Sequence, residues 1–204
     1  LLRAGANPNE VYKSYEGEQT PIIRTVYICR SFCSRPEDVK RTKDILSALI
    51  SFGADRNAQD NQGRSALFHS LEYYSSPQVN FNQIALLLIR SGVDLNLQTD
   101  KGETVLMAAV QNLNIEIIRE LFRYRFNPNL KNWVTRSKTA LMIAIDQRDF
   151  SKETLSHASP ERIAVIRELV SHKNVNIDLG DFYRDRYHGE LSFHGYTALH
   201  YAII

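Results

Sequence analysis

Two cysteines and six histidines are the residues of this chain best suited to nucleophilic or metal chemistry. Cys29 and Cys33 stand four positions apart, so they share one face if that segment is helical. A tetrahedral zinc site needs about four ligands, and no second Cys/His pair stands at a suitable spacing. Neighbouring cysteines on one helix also make poor disulfide geometry. The pair reads as two reduced thiols in or near the core of an intracellular protein. Cys33 and His69 could act as nucleophile and base, yet the sequence supplies no orienting third group and no oxyanion site. His157, His172, His188 and His194 fall in or beside expected loops. No phosphate-cradling glycine loop, metalloprotease helix motif or nucleophile elbow is present. The expectation is a protein without catalysis of its own in these residues, and with no cofactor or metal.

Charge excludes another class. The 204 residues carry a formal net charge of +2, so no bulk attraction toward nucleic acid is implied. The densest basic run, Lys40, Arg41 and Lys43, lies at an expected helix start and reads as a solvated face. Apolar residues make up 43% of the chain, enough for a folded protein, and no run among them is a signal peptide or membrane span.

The elements that position these side chains come in copies. Thr20-Pro21-Ile22, Ser65-Ala66-Leu67, Thr104-Val105-Leu106, Thr139-Ala140-Leu141 and Thr197-Ala198-Leu199-His200 are variants of one opening. A second phrase alternates with it: Leu1-Leu2 to Gly5-Ala6-Asn7 and Asn9, Leu49-Ile50 to Gly53-Ala54-Asp55 and Asn57, Leu88-Ile89 to Gly92-Val93-Asp94 and Asn96, then Leu121-Phe122 to Asn129. Each second phrase closes an amphipathic helix. Ile45, Leu46, Leu49 and Ile50 read as one buried stripe, as do Ile84, Leu87 and Leu88, then Ile117, Ile118, Leu121 and Phe122, then Ile163, Ile166, Leu169 and Val170. Ser34-x-x-Glu37 and Asn80-x-x-Gln83 look like capping boxes, and Ser159-Pro160 places proline behind a serine cap. Gly53 and Gly92 suit left-handed helix ends. Arg125 replaces that glycine in the next copy, which implies a locally rearranged turn. Small residues such as Ala66, Ala108, Ala109, Ala140, Ala144, Ala198 and Ala202 allow close helix stacking.

These residues resemble the ankyrin repeat, a unit of about 33 residues with a Thr-Pro-Leu-His opening, two antiparallel helices and a β-turn finger. The resemblance covers essentially the whole chain. It implies an all-α ankyrin-repeat solenoid of stacked helix pairs with β-turn fingers, about four full repeats with partial repeats at both ends. The expected organisation is one array over 1–204: the end of a repeat at 1–10, then repeats at 11–60, 61–98, 99–132 and 133–181, then a long finger and a new start at 182–204. Leu1 falls inside a second helix and Ile204 inside a first, so a segment of a longer protein is expected.

The copies are unevenly spaced. Successive openings from Thr20 lie 45, 39, 35 and 58 residues apart. Thr104 to Arg125 spans 21 residues, whereas Thr20 to Gly53 spans 33 and Ser65 to Gly92 spans 27. The extra residues of those two repeats are expected between their helices. The last interval splits its excess between the stretch before Ser159 and that after Asp178. Insertions in such arrays go to loops, and a doubled loop costs only about 0.6 kcal/mol.

The resemblance implies that finger tips and first-helix ends form a concave recognition surface. The matching finger positions are Gln19; Asn61, Gln62 and Arg64; Asp100, Lys101 and Glu103; Thr135, Arg136 and Lys138; Phe193, His194 and Tyr196. The helix ends are Tyr27; Glu72 and Tyr73; Gln111 and Asn112; Asp146 and Gln147. His200 stands where the family's histidine braces the neighbouring finger, and His69 is one residue beyond it. Tyr73, Trp133, Arg136 and Tyr196 are the expected anchors, because aromatic residues and arginine dominate interface energetics. Trp133 is the single tryptophan, and it could instead pack on the next repeat. The Tyr- and Arg-rich stretch 181–196 is a second candidate binding loop, or a self-packed one. Asn96 with Leu88, Asp94 and Leu95 is similar to the pattern an asparaginyl hydroxylase modifies in ankyrin turns. The partner implied is a protein, bound by a monomer, with no nucleic acid and no membrane. The uneven repeats are similar to those of ankyrin proteins from intracellular bacteria and large DNA viruses, which implies an effector in the host cytoplasm. The alternative is the recognition arm of a larger enzyme or channel.

Overall fold

A computed structural model describes residues 2–14, 17–32, 35–72, 81–133, 137–145, 159–179, 183–184 and 191–192. The chain divides into two compact units, Leu1–Asp100 and Lys101–Ile204.

The first unit opens on a single 3-10 turn, Leu2–Ala4. Strands β1 (Tyr12–Ser14) and β2 (Gly17–Gln19) then pair antiparallel, with Lys13 opposite Glu18. Four helices follow: α1 (Pro21–Phe32), α2 (Pro36–Ser51), α3 (Ala66–Leu71) and α4 (Asn82–Arg90). Helix α1 packs on α2 and α3, and α4 packs on both α2 and α3. First helices therefore lie beside first helices and second beside second, as stacked pairs require. The second unit repeats the scheme with α5 (Val105–Gln111), α6 (Ile115–Leu121), α7 (Ala140–Ile145) and α8 (Pro160–Ser171). There α5 packs on α6 and α7, and α8 on α6 and α7. Strands β3 (Tyr183–Arg184) and β4 (Leu191–Ser192) pair antiparallel within the 181–196 stretch, so part of that candidate loop is closed on itself.

Start signals behave largely as the sequence implies. The hydroxyls of Ser65, Thr104, Thr139 and Ser159 accept from the backbone N–H three residues on, at 3.2 to 3.3 Å. Thr20 departs: its carbonyl accepts from Arg24 N–H, but its hydroxyl is buried with no hydrogen-bond partner. Helix α2 is capped one residue later than expected. The Asp38 carboxylate accepts from the N–H of Arg35 at 3.2 Å, and Ser34 lies outside the described residues, as does Asn80. Gly53 and Gly92 both adopt positive φ at helix ends, whereas Arg125 does not. Tyr124 N–H instead returns to Leu121 O, the rearranged turn expected there.

Two expectations are corrected. The excess length of the 11–60 repeat does not form an insertion between its helices. It lengthens them: α1 has 12 residues and α2 has 16, against 7 and 7 in α5 and α6, and only positions 33–35 link the long pair. Ile22, Ile23, Val26 and Cys29 give α1 its buried stripe, and Cys29 carries that stripe into the added turn, where Ile28 and Phe32 are exposed. The equivalent excesses in the later repeats fall on 73–80 and 146–158, outside the described residues. The second correction concerns the stripes. In α2 the buried positions are Val39, Thr42, Leu46 and Leu49, while Ile45 is exposed. In α8 they are Val165 and Leu169, with Ile163 and Val170 exposed. Both helices are turned from the expected phase, because packing on two neighbours selects a stripe that hydrophobicity alone leaves ambiguous.

Successive turns are tied by asparagines. Asn9, Asn57, Asn96, Asn129 and Asp178 each donate a backbone N–H to the Asx side chain two residues before. Asn9 Oδ1 then accepts from Asp55 N–H, Asn57 Oδ1 from Asp94 N–H, and Asn129 Oδ1 from Asn176 N–H, at 2.7 to 2.8 Å. We predict that Asn57→Ala lowers stability by about 1 kcal/mol, the net worth of one such bond. Asn57→Asp, which keeps the acceptor, should recover part of it. Urea denaturation of both variants checks this.

Candidate functional site: the fingers and the charges beneath them

The finger from Asp60 to Ser65 is built on one buried carboxylate. Asp60 Oδ1 accepts from the N–H groups of Gln62 and Arg64, both at 2.9 Å. Its Oδ2 accepts from Arg64 Nε at 3.1 Å and lies 2.8 Å from His69 Nε2. His69, on α3, is fully buried. Its Nδ1 lies 3.1 Å from Glu72 Oε2, and Glu72 in turn is held by Arg64 and Arg30. A neutral imidazole carries one N–H, and the shorter distance puts it on Nε2, donating to Asp60. Tyr27 meets the imidazole edge-on at 6.2 Å, and Arg24 and Arg30 lie over the Tyr27 ring.

Burial by itself would raise the Asp60 carboxyl. The hydrogen bonds from His69, Arg64 and Gln62, with the Arg64 charge, instead hold it well below the usual carboxylate range. Burial pushes the His69 imidazole below its ordinary value, against the pull of Asp60. Both ring nitrogens of His69 face carboxylates and the ring is fully buried, so neither is presented to a substrate. Its orienting groups were missed in the sequence. Glu72, the residue that caps the end of α3, follows His69 by three positions, which spacing can reveal, but Asp60 reaches it only through the folded finger.

The finger of the second unit uses an amide in the same role. Asn132 exchanges backbone and side-chain bonds with Lys138: its N–H donates to Lys138 O at 3.0 Å, and its Oδ1 accepts from Lys138 N–H at 2.9 Å. Adjacent fingers are stitched by backbone bonds, Asp100 N–H to Gln62 O in the first unit and Trp133 N–H to Lys101 O in the second. A close approach accompanies each stitch. A Cβ on Gly63 would fall 2.8 Å from Asp100 N, and one on Gly102 would fall 2.6 Å from the Trp133 ring. Trp133 thus meets the finger before it, not the next repeat that the sequence suggested. It packs on the preceding finger, and it remains 59% exposed.

Of the expected surface residues, Asn61, Gln62, Asp100, Lys101 and Gln111 are exposed, and Glu103 and Asn112 half-buried. Arg64, Glu72 and Tyr27 are half-buried within the charge network. Lys138 is buried at 3% exposure and Gln19 at 2%, so neither belongs to an exposed face. The backbone of Lys138 closes its finger, which draws the residue inward, and Gln19 accepts from Arg24. Cys29 is buried on α1. Asn96 is exposed, with both its N–H and its amide on Asp94. Tyr73, Thr135, Arg136, Asp146, Gln147, Phe193, His194, Tyr196, His200 and Cys33 lie outside the described residues. Among the described residues no three of His, Cys, Asp and Glu are grouped to hold a metal ion, and no helix is long and apolar enough to cross a membrane.

Comparisons with known proteins agree with this architecture. The family model for ankyrin repeats, in three copies, matches residues 75–156. Ankyrin repeat and SOCS box protein 6 of Homo sapiens is 37% identical over 60 residues, 29% of this chain and 14% of that protein. Putative ankyrin repeat protein L86 of Acanthamoeba polyphaga mimivirus is 27% identical over 143 residues, 62% of this chain and 23% of that protein. The chain thus spans under a quarter of the length of these relatives. The crystal structure of EF0377, an ankyrin repeat protein, superposes with a TM-score of 0.68 at 19% identity, covering 99% of this chain and 81% of that one. With its alternating signatures, stacked helix pairs and stitched fingers, the chain has the ankyrin repeat fold, and over residues 75–156 it matches the ankyrin repeat family.

Proposed function

We propose that this chain binds a partner protein through its finger tips and the adjoining ends of its first helices, with Trp133 as an anchor. Ankyrin repeats are generally protein–protein interaction modules, typically without catalysis. The observation that carries the reading is the state of Trp133. A large aromatic side chain is left mostly exposed, yet held in place by a backbone bond and by contact with Gly102. Such a residue gives up little conformational freedom on binding. Exposed Lys101 and half-buried Glu103 and Asn112 of the same unit are further candidate polar contacts for the partner. Arg136, Phe193, His194 and Tyr196 remain candidates by resemblance alone. So do Asn61, Gln62, Asp100 and Tyr73 in the first unit. Once a partner has been captured with the intact chain, Trp133→Ala should weaken the measured affinity about 30-fold, the equivalent of roughly 2 kcal/mol. Equal affinity of the two proteins would remove Trp133 and the finger surface from the proposal.

A finer reading is that the array belongs to a longer effector acting on host proteins in the host cytoplasm. Its support is the likeness, over 62% of this chain, to an ankyrin protein of a large virus. The competing reading is a recognition arm attached to another functional domain. The relative that combines ankyrin repeats with a SOCS box supports that organisation.

A further inference from the structure

The outer helices of the first unit enclose a surface that the fingers do not use. Between α2 and α4 runs an open groove of about 630 Å³. Its floor is Ile50, Leu86 and Leu87, each only half-buried. Its walls include Ser47, Ser51 and Ser91. Ser51 Oγ donates to Ala48 O at 2.8 Å and Ser91 Oγ to Leu88 O at 2.6 Å. Those hydroxyls are satisfied by their own helices, so the walls are small and make little polar demand. Lys43 marks one end, its Nζ donating to Gln83 Oε1 on the facing helix at 3.3 Å. Arg90 marks the other. Among the described residues that line the groove, the charged ones are these two, both basic. Gln83 and Arg90 are seven residues apart on α4, roughly 10 Å along its axis.

Small walls let a third helix approach two others closely, and a half-buried apolar floor leaves holes for its large side chains. A cation at each end selects a helix with carboxylates about two turns apart, and disfavours a basic one. We infer that the α2–α4 groove docks an acidic amphipathic helix of a partner protein. Its apolar stripe lies on Ile50, Leu86 and Leu87, and its glutamates or aspartates meet Lys43 and Arg90. This surface contains no finger residue, so it can stand or fall separately from the finger reading.

The test titrates the full chain into a fluorescein-labelled helical peptide of about 18 residues, with leucines on one stripe and two glutamates seven positions apart flanking it, read by fluorescence anisotropy. Saturable binding is expected. Ser47→Trp, which fills the groove from an exposed position, should weaken it tenfold or more, and so should the double reversal Lys43→Glu with Arg90→Glu. A peptide with lysines in place of the two glutamates should bind the reversed protein and restore the loss. Trp133→Ala should leave peptide binding unchanged. Thermal melts establish that each variant is folded. Absence of binding, indifference to both groove variants, equal binding of a scrambled peptide of the same composition, or displacement by oleate vesicles would each overturn the assignment.

Discussion

Replacing Asp60 with alanine is expected to destabilise the first unit by about 3–5 kcal/mol, a large fraction of the 5–15 kcal/mol typical of a folded domain. One carboxylate here serves two backbone N–H groups, a guanidinium and a buried imidazole. Alanine leaves all four without their acceptor, and His69 and the finger amides are poorly placed to find water. An unsatisfied buried donor costs roughly 1–3 kcal/mol, so the sum exceeds any single lost bond. Asp60→Asn keeps an acceptor oxygen but removes the charge, and should fall between alanine and the parent. Urea denaturation followed by circular dichroism separates the three. A loss below about 1 kcal/mol for alanine would mean that the network is dispensable.

The same carboxylate sets a pH dependence. Its folded pKa lies below the unfolded value of about 3.9. The unfolded chain therefore binds a proton more readily, and stability falls as pH drops. The contribution is fully present above about pH 4 and is lost as acid carries the protein through the lower folded pKa. Comparing stability at pH 6 and pH 3 should show a smaller acid loss in Asp60→Asn than in the parent. An identical loss in both would assign the acid sensitivity to other carboxylates.

Gly102→Ala is the second large effect, on the order of 2–4 kcal/mol. Gly102 has φ +75°, where an L side chain costs about 1–2 kcal/mol. Its new Cβ would also fall 2.6 Å from two atoms of the Trp133 ring and 2.9 Å from the backbone Cα of Asn132. Relieving that contact means moving a finger fastened by Trp133 N–H to Lys101 O, and such overpacking typically costs another 1–3 kcal/mol. Gly53→Ala supplies the control. Its φ is +86°, but nothing lies within 4 Å of the added carbon, so the conformational term acts alone. Because Trp133 is the single tryptophan, its emission reports the displacement directly. Gly102→Ala should shift the spectrum of the native protein as well as the unfolding midpoint, whereas Gly53→Ala should move only the midpoint. Equal losses in the two variants would mean that the finger contact is loose.

How much of this was legible beforehand follows the range of the interactions. Ser65, Thr104, Thr139 and Ser159 cap their helices as their positions imply, because a cap involves a side chain and an N–H three residues away. Gly53 and Gly92 end theirs for an equally local reason. The asparagine turns were legible as turns, but not as a ladder, since Asn57 and Asp94 are brought together only by stacking. The candidate surface divides the same way. Finger positions could be assigned by counting, whereas their exposure could not. Lys138 and Trp133 stand in one finger, and packing draws the first inside while leaving the second mostly out.

By itself the sequence determined the repeat, the alternation of first and second helices, and the places where chains of this kind turn, because those depend on contacts spanning a few residues and recurring in each copy. Only the tertiary structure decided that the extra residues of the 11–60 repeat become helix, that Ile45 and Val170 face outward, and that His69 sits between Asp60 and Glu72. Each of these depends on which neighbour buries which face. Hydrophobic periodicity identifies a stripe to within about one residue, and the packing partner chooses among the phases that remain.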